Sequence, residues 1–539
     1  MTSASEVLFM AKALYRGATM KQYDRESAEN LGTLLTRQAE RRGDAPALTC
    51  EGETISWREF ETRANRVAQH LSGHLGLGKG DAVAMMLENR IAFLTTLFGI
   101  CKLGAVAGLL NTNQRGSVLL HSLNTIDAKA LLVGEECLSA IVEIEGDLPM
   151  DPGARLVVPD RGEATLPSWA RPFDDRDDTL PDGVPEAQAT VLQKDPCFFV
   201  FTSGTTGAPK ATMHFHRDLL IIADGYAREV LGVVPEDVFV GSPPLAFTFG
   251  LGGLAVFPLR FGAAATLLEN ASPPNMIEII QKYRATVCFT APTAYRAMLT
   301  AMEQGANLSS LRAAVSAGET LPAPVYQEWM AKTGKPMLDG IGATELLHIF
   351  ISNRFDDHRP ACTGKPVCGY EAKVIGEDGA EVARGTVGRL AVRGPTGCRY
   401  LADQRQADYV QDGWNVTGDA FVMDEDGYLH FAARNDDMII SSGYNIAGPE
   451  VEAALLSHPH VAECAVIGVP DAERGAIVQA HVVLRDGVAA ADSTGKALQD
   501  HVKSRIAPYK YPRSIVFCDG LPKTESGKIQ RFRLRQARP

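Results

Sequence analysis

No Cys-x-x-Cys pair occurs among the ten cysteines, and the closest two, Cys362 and Cys368, are spaced unlike ordinary zinc ligands. Scattered thiols of this kind fit a reduced, cytoplasmic protein better than a disulfide framework or a structural metal site. Basic residues are also in deficit, since 53 Lys and Arg against 65 Asp and Glu leave a formal net charge of −12. A general nucleic-acid binder needs a basic face to displace counterions, so no nucleic-acid partner is expected, although a local basic patch stays open. The start, Met1-Thr-Ser-Ala-Ser-Glu6, has no basic segment ahead of an apolar one, so a secretory signal is not expected.

Internal repeats and low-complexity tracts are missing as well. Long apolar runs are scarce: Ile91 to Leu110, interrupted by the single charge of Lys102, alone has the length to span a bilayer. Gly99, Gly104 and Gly108, and the polar Asn111-Thr-Asn-Gln-Arg115 that follows, favour a buried helix, a turn and a strand, so no transmembrane segment is expected. What remains is an ordinary globular composition, 45% hydrophobic and 22% charged, over 539 residues. That length exceeds what one hydrophobic core serves and predicts two or more domains.

Several short apolar runs end abruptly in small or polar residues. These are Cys197–Phe201, Val238–Val240, Val287–Phe289, Ala313–Val315 and Pro336–Leu338. They predict buried strands alternating with helices, an α/β architecture whose loops converge on one crevice beyond the carboxyl ends of the strands. After about residue 365 the pattern becomes strand-rich, with Val387–Arg393 and Gly427–Phe431 suggesting a small β unit. Pro449 then introduces a helix over Glu450–Leu456, followed by strands at Ala465–Val469 and Val478–Leu484, which gives a small α+β domain.

The most informative stretch is Phe201-Thr-Ser-Gly-Thr-Thr-Gly-Ala-Pro-Lys210. Gly204 and Gly207 allow amide groups to converge on an anion, and four hydroxyls (Thr202, Ser203, Thr205, Thr206) and Lys210 add donors and charge. The loop departs from the Walker pattern, because Ala208 and Pro209 separate the second glycine from the lysine. A polar surface turn is the bland alternative. Its ordered sequence resembles the signature loop of the acyl-adenylating superfamily, which includes acyl-CoA synthetases, peptide-synthetase adenylation domains and firefly luciferase. Ala211 departs from that pattern, where glycine is usual.

Four further segments carry the same resemblance: Gly340-Ile-Gly-Ala-Thr-Glu345, Thr417-Gly-Asp419, Ala433-Arg-Asn-Asp-Asp437 and Leu521-Pro-Lys-Thr-Glu-Ser-Gly-Lys528. Alone the first is a weak signal, Asp419 and Arg434 read more readily as a surface turn or a structural ion pair, and the tail lysines as a solvated basic end; their order along the chain, from about residue 45 to 531, is what resembles the family. The resemblance implies a large N-terminal adenylating domain of αβ subdomains plus a small β unit (1–434), and a mobile C-terminal α+β domain (435–539). It also implies three ligands, ATP, Mg²⁺ and CoA. Residue by residue, it assigns Thr202 to Lys210 to the ATP phosphates, Gly318, Glu319, Ile341 and Gly342 to the adenine side, and Asp419 and Arg434 to the ribose. Thr344 and Glu345 would serve phosphate and Mg²⁺, Lys528 the adenylation step, Asp436 the hinge and Gly443 the pantetheine channel. Ile341 departs from the aromatic residue that many members place against adenine.

The acid is addressed by two segments. Pro243-Pro-Leu-Ala-Phe-Thr-Phe-Gly-Leu-Gly-Gly253 matches the family's acyl pocket, and Phe247, Thr248, Phe249 and Gly250 suit a flat ring, with a plain core reading of both phenylalanines left open. Its glycines also satisfy a dinucleotide fingerprint, but Pro243-Pro244 interrupts the strand that should lead into them. Gly342-Ala-Thr-Glu-Leu-Leu-His-Ile-Phe350 resembles benzoate and 2-aminobenzoate CoA ligases, with His348 as an aryl-pocket residue. Asn111 to His121 resembles instead the fatty-acid transport type, so a medium- or long-chain acid is the rival substrate. Nothing after Lys528 offers a phosphopantetheine attachment domain, which makes free CoA the simplest acceptor and a separate carrier protein the alternative. A non-catalytic nucleotide-binding protein is a further reading. A homodimer is compatible with all of these. His214 and His216 form a weak metal-like pair without a nearby third ligand.

Overall fold

Buried apolar runs become strands because both of their faces are covered. The computed structural model describes residues 23–159, 165–202, 209–434, 438–441, 444–471, 474–523 and 529–536. Five sheets form among them. The nine-stranded sheet has a parallel centre, in spatial order Pro46–Cys50, Ala264–Leu267, Val238–Gly241, Val287–Thr290, Ala313–Ser316 and Met337–Gly342. Glu53–Ser56 closes one edge, Ile349–Ser352 and Lys365–Pro366 the other, all antiparallel.

The seven-stranded sheet runs Arg171–Pro172, Arg155–Val158, Ala130–Gly134, Ala82–Met86, Val106–Leu109, Pro196–Thr202 and Lys210–Phe215. Only its last pair is antiparallel. The five apolar runs are therefore strands as expected, but they belong to two sheets: the run that leads into the Thr202–Lys210 loop sits in the seven-stranded sheet, the other four in the nine-stranded one. Short runs of this kind encode burial and not the partner.

The stretch from Ile91 to Leu110 resolves into helix Ile91–Lys102, a turn at Gly104 with φ of 70° and strand Val106–Leu109. Lys102 is fully buried, its ammonium held by Glu61, Thr36 and Gln188 at 2.7, 3.1 and 2.8 Å. An unpaired buried charge would be prohibitive, and this one is satisfied by three oxygens. No helix among the described residues is long and apolar enough to cross a membrane.

A third, five-stranded sheet contains Val387–Arg393, Trp414–Met423 and Leu429–Arg434. Beyond it lies a smaller α+β domain with a separate core. Val461–Asp471 pairs antiparallel with Gly475–Leu484, which pairs parallel with Ser514–Phe517, and helices Gly448–Leu456 and Asp492–Arg505 contribute Val451, Leu455, Leu498 and Val502 to the apolar cluster. Arg296 of the large domain donates to the carbonyl of Ala462 at 2.9 Å, tying the two domains together.

Candidate active site

The Thr202–Lys210 loop joins two antiparallel strands, and its first and last residues are direct cross-strand partners. The chain returns as strand Lys210–Phe215, so the segment runs from strand to strand and not from strand into helix as in a Walker site. Ser203, Gly204, Thr205, Thr206 and Gly207 lie outside the described residues. Asp436, Gly443 and Lys528 do so as well.

A second set of groups comes from adjacent carboxyl ends in the nine-stranded sheet. Thr290 pairs with Ser316, and Ser316 with Asp339, so the segments that follow emerge side by side. Gly318 is exposed with φ of 88°, and Glu319 accepts a 2.7 Å hydrogen bond from Thr293. Ile341 is half-buried in the strand opposite Ile351 and Gly342 is exposed, ahead of the 3₁₀ turn Thr344–Leu346. Thr344 is half-buried and Glu345 buried. Asp419 and Arg434, far apart in sequence, are cross-strand partners in the five-stranded sheet.

Tyr400 connects the two sheets, a residue that local sequence pattern did not single out. The Met213 amide donates to Arg399 and the Leu401 amide to Ala211, at 2.7 and 2.9 Å, so residues 399–401 pair with strand Lys210–Phe215. This places the Tyr400 hydroxyl between the Lys210 ammonium, which donates to it at 2.9 Å, and Glu345 Oε1, to which it donates at 2.5 Å. Lys210 of the seven-stranded sheet and Glu345, beyond the end of a nine-stranded-sheet strand, are thus bridged by one hydroxyl.

Beneath the glycine turn, burial pushes the Asp339 carboxyl up to about 8, against hydrogen bonds from Ser316 and the Gly340 backbone. Between the ordinary carboxyl value and about 8 the unfolded chain has lost this proton while the folded chain keeps it. The stability it confers is therefore present at low pH and lost as pH rises through that window. Asp339→Asn is expected to gain thermal stability relative to the parent between about pH 5 and about pH 8; a difference in melting temperature independent of pH would contradict this. Buried neutral histidines tilt stability the opposite way below their ordinary pKa, but that contribution cancels between variant and parent.

The third component is an aromatic cage. The helical stretch from Thr248 to Phe261 contains a π-helical segment, Leu251–Val256, and a second π segment, Ala223–Arg228, carries Tyr226. Such bulges recur at functional sites, where they re-aim side chains. His348 is buried among the rings of Tyr226, Phe249, Phe257 and Phe289, at centroid distances of 5.5, 5.9, 4.7 and 6.3 Å. Burial lowers its pKa to about 3, with the Phe249 backbone opposing, so the ring is neutral; neither nitrogen has a hydrogen-bond partner of ordinary geometry.

Gly252 is the floor beneath that ring, since a Cβ there would stand 2.3 Å from His348 Cδ2. Gly250 instead meets the Pro244 carbonyl, at 2.2 Å from the position of a Cβ, so these glycines serve close packing and not a dinucleotide loop. Leu347, at φ of 77°, makes the turn that sends His348 inward, and backbone strain of this kind in a bulky residue marks functional sites. Thr248 is buried; Phe249 faces the cage, while Phe247 lines a neighbouring cleft with Asn111, Gln114, Phe201, Pro209 and Ala246. The Asn111 segment and the loop flanks therefore share one cleft.

His214 and His216 are both buried, in a strand and at the following helix start, with pKa values lowered to about 4 by desolvation. His216 accepts from the Leu31 amide at 3.4 Å, and the Thr344 backbone opposes the desolvation of His214, so both pack as buried links between elements. No group of three or more metal-ligating side chains occurs among the described residues. Of the two lysines in the tail motif, Lys523 is engaged by Glu463 at 2.7 Å. None of the ten cysteines is in a disulfide.

Fold and site together define the class: an α/β enzyme with a large N-terminal domain, a smaller C-terminal domain and charged residues of two sheets, Lys210 and Glu345, joined through Tyr400. Residues 35–400 match the AMP-binding enzyme family and residues 450–528 the AMP-binding enzyme C-terminal domain; the chain belongs to this family, as an enzyme of its acid–thiol ligase class. It is 36% identical over 504 residues to a benzoate–CoA ligase of Thauera aromatica, covering 92% of this chain and 93% of that one. Among solved structures it resembles the anthranilate CoA ligase AuaEII, in complex with anthranoyl-AMP, with a TM-score of 0.87, 35% identity and coverage of 95% and 98%. A benzoate CoA ligase from Burkholderia xenovorans LB400 gives a TM-score of 0.83 at 31% identity, over 94% of this chain and 99% of that one.

Proposed function

We propose that the chain is an ATP-dependent aryl-acid CoA ligase, acting on benzoate or 2-aminobenzoate, that forms an acyl-adenylate and passes the acyl group to CoA with release of AMP and pyrophosphate. The observation that carries the acid class is the cage of four aromatic rings around the neutral, buried His348. Flat apolar walls favour a ring over an extended chain, and the likeness to benzoate and anthranilate ligases supports the same reading. Ten cysteines without a disulfide fit a cytoplasmic location.

In this reading the chain divides at residue 434, with residues 435–539 as the mobile domain, Asp436 as hinge and Gly443 beside the path of the CoA thiol. A carboxylate is a poor electrophile, so it first attacks the α-phosphorus of ATP and expels pyrophosphate. Thr202 to Lys210 hold the phosphates that leave. Gly318, Glu319, Ile341 and Gly342 border adenine, while Asp419 and Arg434, placed opposite one another by strand pairing, hold the ribose. Thr248, Phe249, Gly250 and His348 line the acid's site, and Phe247 borders it from the neighbouring cleft.

Thr344 and Glu345 face phosphate and Mg²⁺. Glu345 fits that ion, since a hard carboxylate oxygen beside substrate phosphates is its usual donor set, and dedicated all-protein cages are not. The ion, when bound, neutralises phosphate charge. Lys528 offsets the charge that develops as carboxylate and phosphate meet, an electrostatic and positioning role.

Thioester formation across benzoate, 2-aminobenzoate, hydroxybenzoates, octanoate and palmitate tests the proposal. A specificity constant at least about tenfold higher for one of the aryl acids is expected, equivalent to about 1.4 kcal/mol of transition-state discrimination. Preference for a fatty acid over every aryl acid would overturn it.

A further inference from the structure

We infer that Tyr400 is a positioning residue for the adenylation site: its hydroxyl spaces Lys210 and Glu345 apart and leaves one Glu345 oxygen for the metal–nucleotide complex. The inference rests on the roles proposed above for those two charged residues.

The geometry is a three-member chain. The Lys210 ammonium donates to Tyr400 Oη at 2.9 Å and lies 4.3 Å from the centre of the same ring. The Tyr400 hydroxyl donates to Glu345 Oε1 at 2.5 Å. A tyrosine hydroxyl has one proton to give, and Lys210 can only donate, so the proton goes to the carboxylate.

Three constraints fix the ring. The Tyr400 amide donates to Gln406 Oε1 at 2.8 Å, the Tyr409 ring lies 6.0 Å away, and residues 399–401 are paired with strand Lys210–Phe215. The hydroxyl is thus built from the strand that bears Lys210 and directed at the turn that bears Glu345. Without it, an ammonium and a carboxylate would face each other across the space of one oxygen atom. They would close into a direct ion pair, and both charges would be withdrawn from an incoming nucleotide.

The test is calorimetric binding of α,β-methylene-ATP, which cannot be cleaved at the α-phosphorus, to the full chain with and without Mg²⁺. The parent, Tyr400→Phe, Glu345→Gln and the double variant are compared. Tyr400→Phe is expected to reduce the Mg²⁺-dependent gain in affinity at least tenfold, while thioester formation from supplied acyl-adenylate stays within twofold of the parent. In the Glu345→Gln background the same substitution is expected to add nothing, because its route runs through Glu345. Retention of the full gain in Tyr400→Phe, or additive losses in the double variant, would overturn the inference about Tyr400 alone. Retention of the gain in Glu345→Gln would instead overturn the role of Glu345, and the inference with it. The double-variant comparison also exposes a merely structural effect, since that would persist in the Glu345→Gln background.

Discussion

Lys528→Ala is expected to slow acid-dependent adenylate formation about 10²- to 10³-fold, the range for losing one charged or donor group at a developing oxyanion, with little change when acyl-adenylate and CoA are supplied directly. Two anions must meet in the first half-reaction, whereas the second presents a neutral thioester-forming carbonyl to a thiol. The tail motif contains two lysines, and Lys523 is occupied by Glu463 at 2.7 Å. Lys523 and Ile529 pair as an antiparallel bridge, and the Gln530 amide donates to the Pro522 carbonyl, so the two flanks of the motif form a closed base. That base is anchored by Arg531 on Glu452. Lys523→Ala should therefore weaken the anchoring of the motif and leave chemistry largely intact. Single-turnover assays of each half-reaction separate the two lysines, and equal loss of both half-reactions in Lys528→Ala would count against a lysine specific to adenylation.

Gly252→Ala is expected to raise the KM for the aryl acid roughly 10- to 100-fold, from an overpacking penalty of about 1–3 kcal/mol, while ATP affinity stays near that of the parent. The added methyl would sit 2.3 Å from His348 Cδ2 and 2.7 Å from its Nε2. A flexible side chain would step aside, but this imidazole is enclosed by Phe257 at 4.7 Å and by three further rings. Either the ring intrudes on the acid's site or the π-helical segment shifts and takes Phe249 with it. Acid KM measured beside the affinity of α,β-methylene-ATP distinguishes a local effect from general unfolding. An unchanged KM would show that the acid does not use this cage.

Much of the fold was legible because parallel strands buried on both faces leave short Val-, Ala- and Phe-rich runs that stop at small residues. Val387–Arg393 appears with the expected bounds, and Pro449 lies in the first turn of the helix it was expected to start. Sheet membership was not legible, because Cys197–Phe201 and Ala313–Val315 look alike locally and end in different sheets. The pairing of Asp419 with Arg434 follows from an antiparallel register that neither segment announces.

His348 and Phe249 were readable through the ordered motifs around them. Their cage partners Tyr226, Phe257 and Phe289 come from a π segment, a helix and a strand with no shared pattern. Tyr400 escaped notice for the same reason, since its place depends on pairing with Lys210–Phe215 across nearly two hundred residues. The positive φ of Leu347 is likewise a tertiary demand that no Leu-Leu-His sequence reveals.

Acid-dependent exchange of labelled pyrophosphate into ATP, measured with Mg²⁺ and without CoA, tests the central claim most directly. The account predicts rapid exchange with benzoate or 2-aminobenzoate, slow exchange with octanoate and palmitate, and loss of exchange in Lys528→Ala. Absence of exchange with every acid, or exchange supported by fatty acids alone, would contradict it.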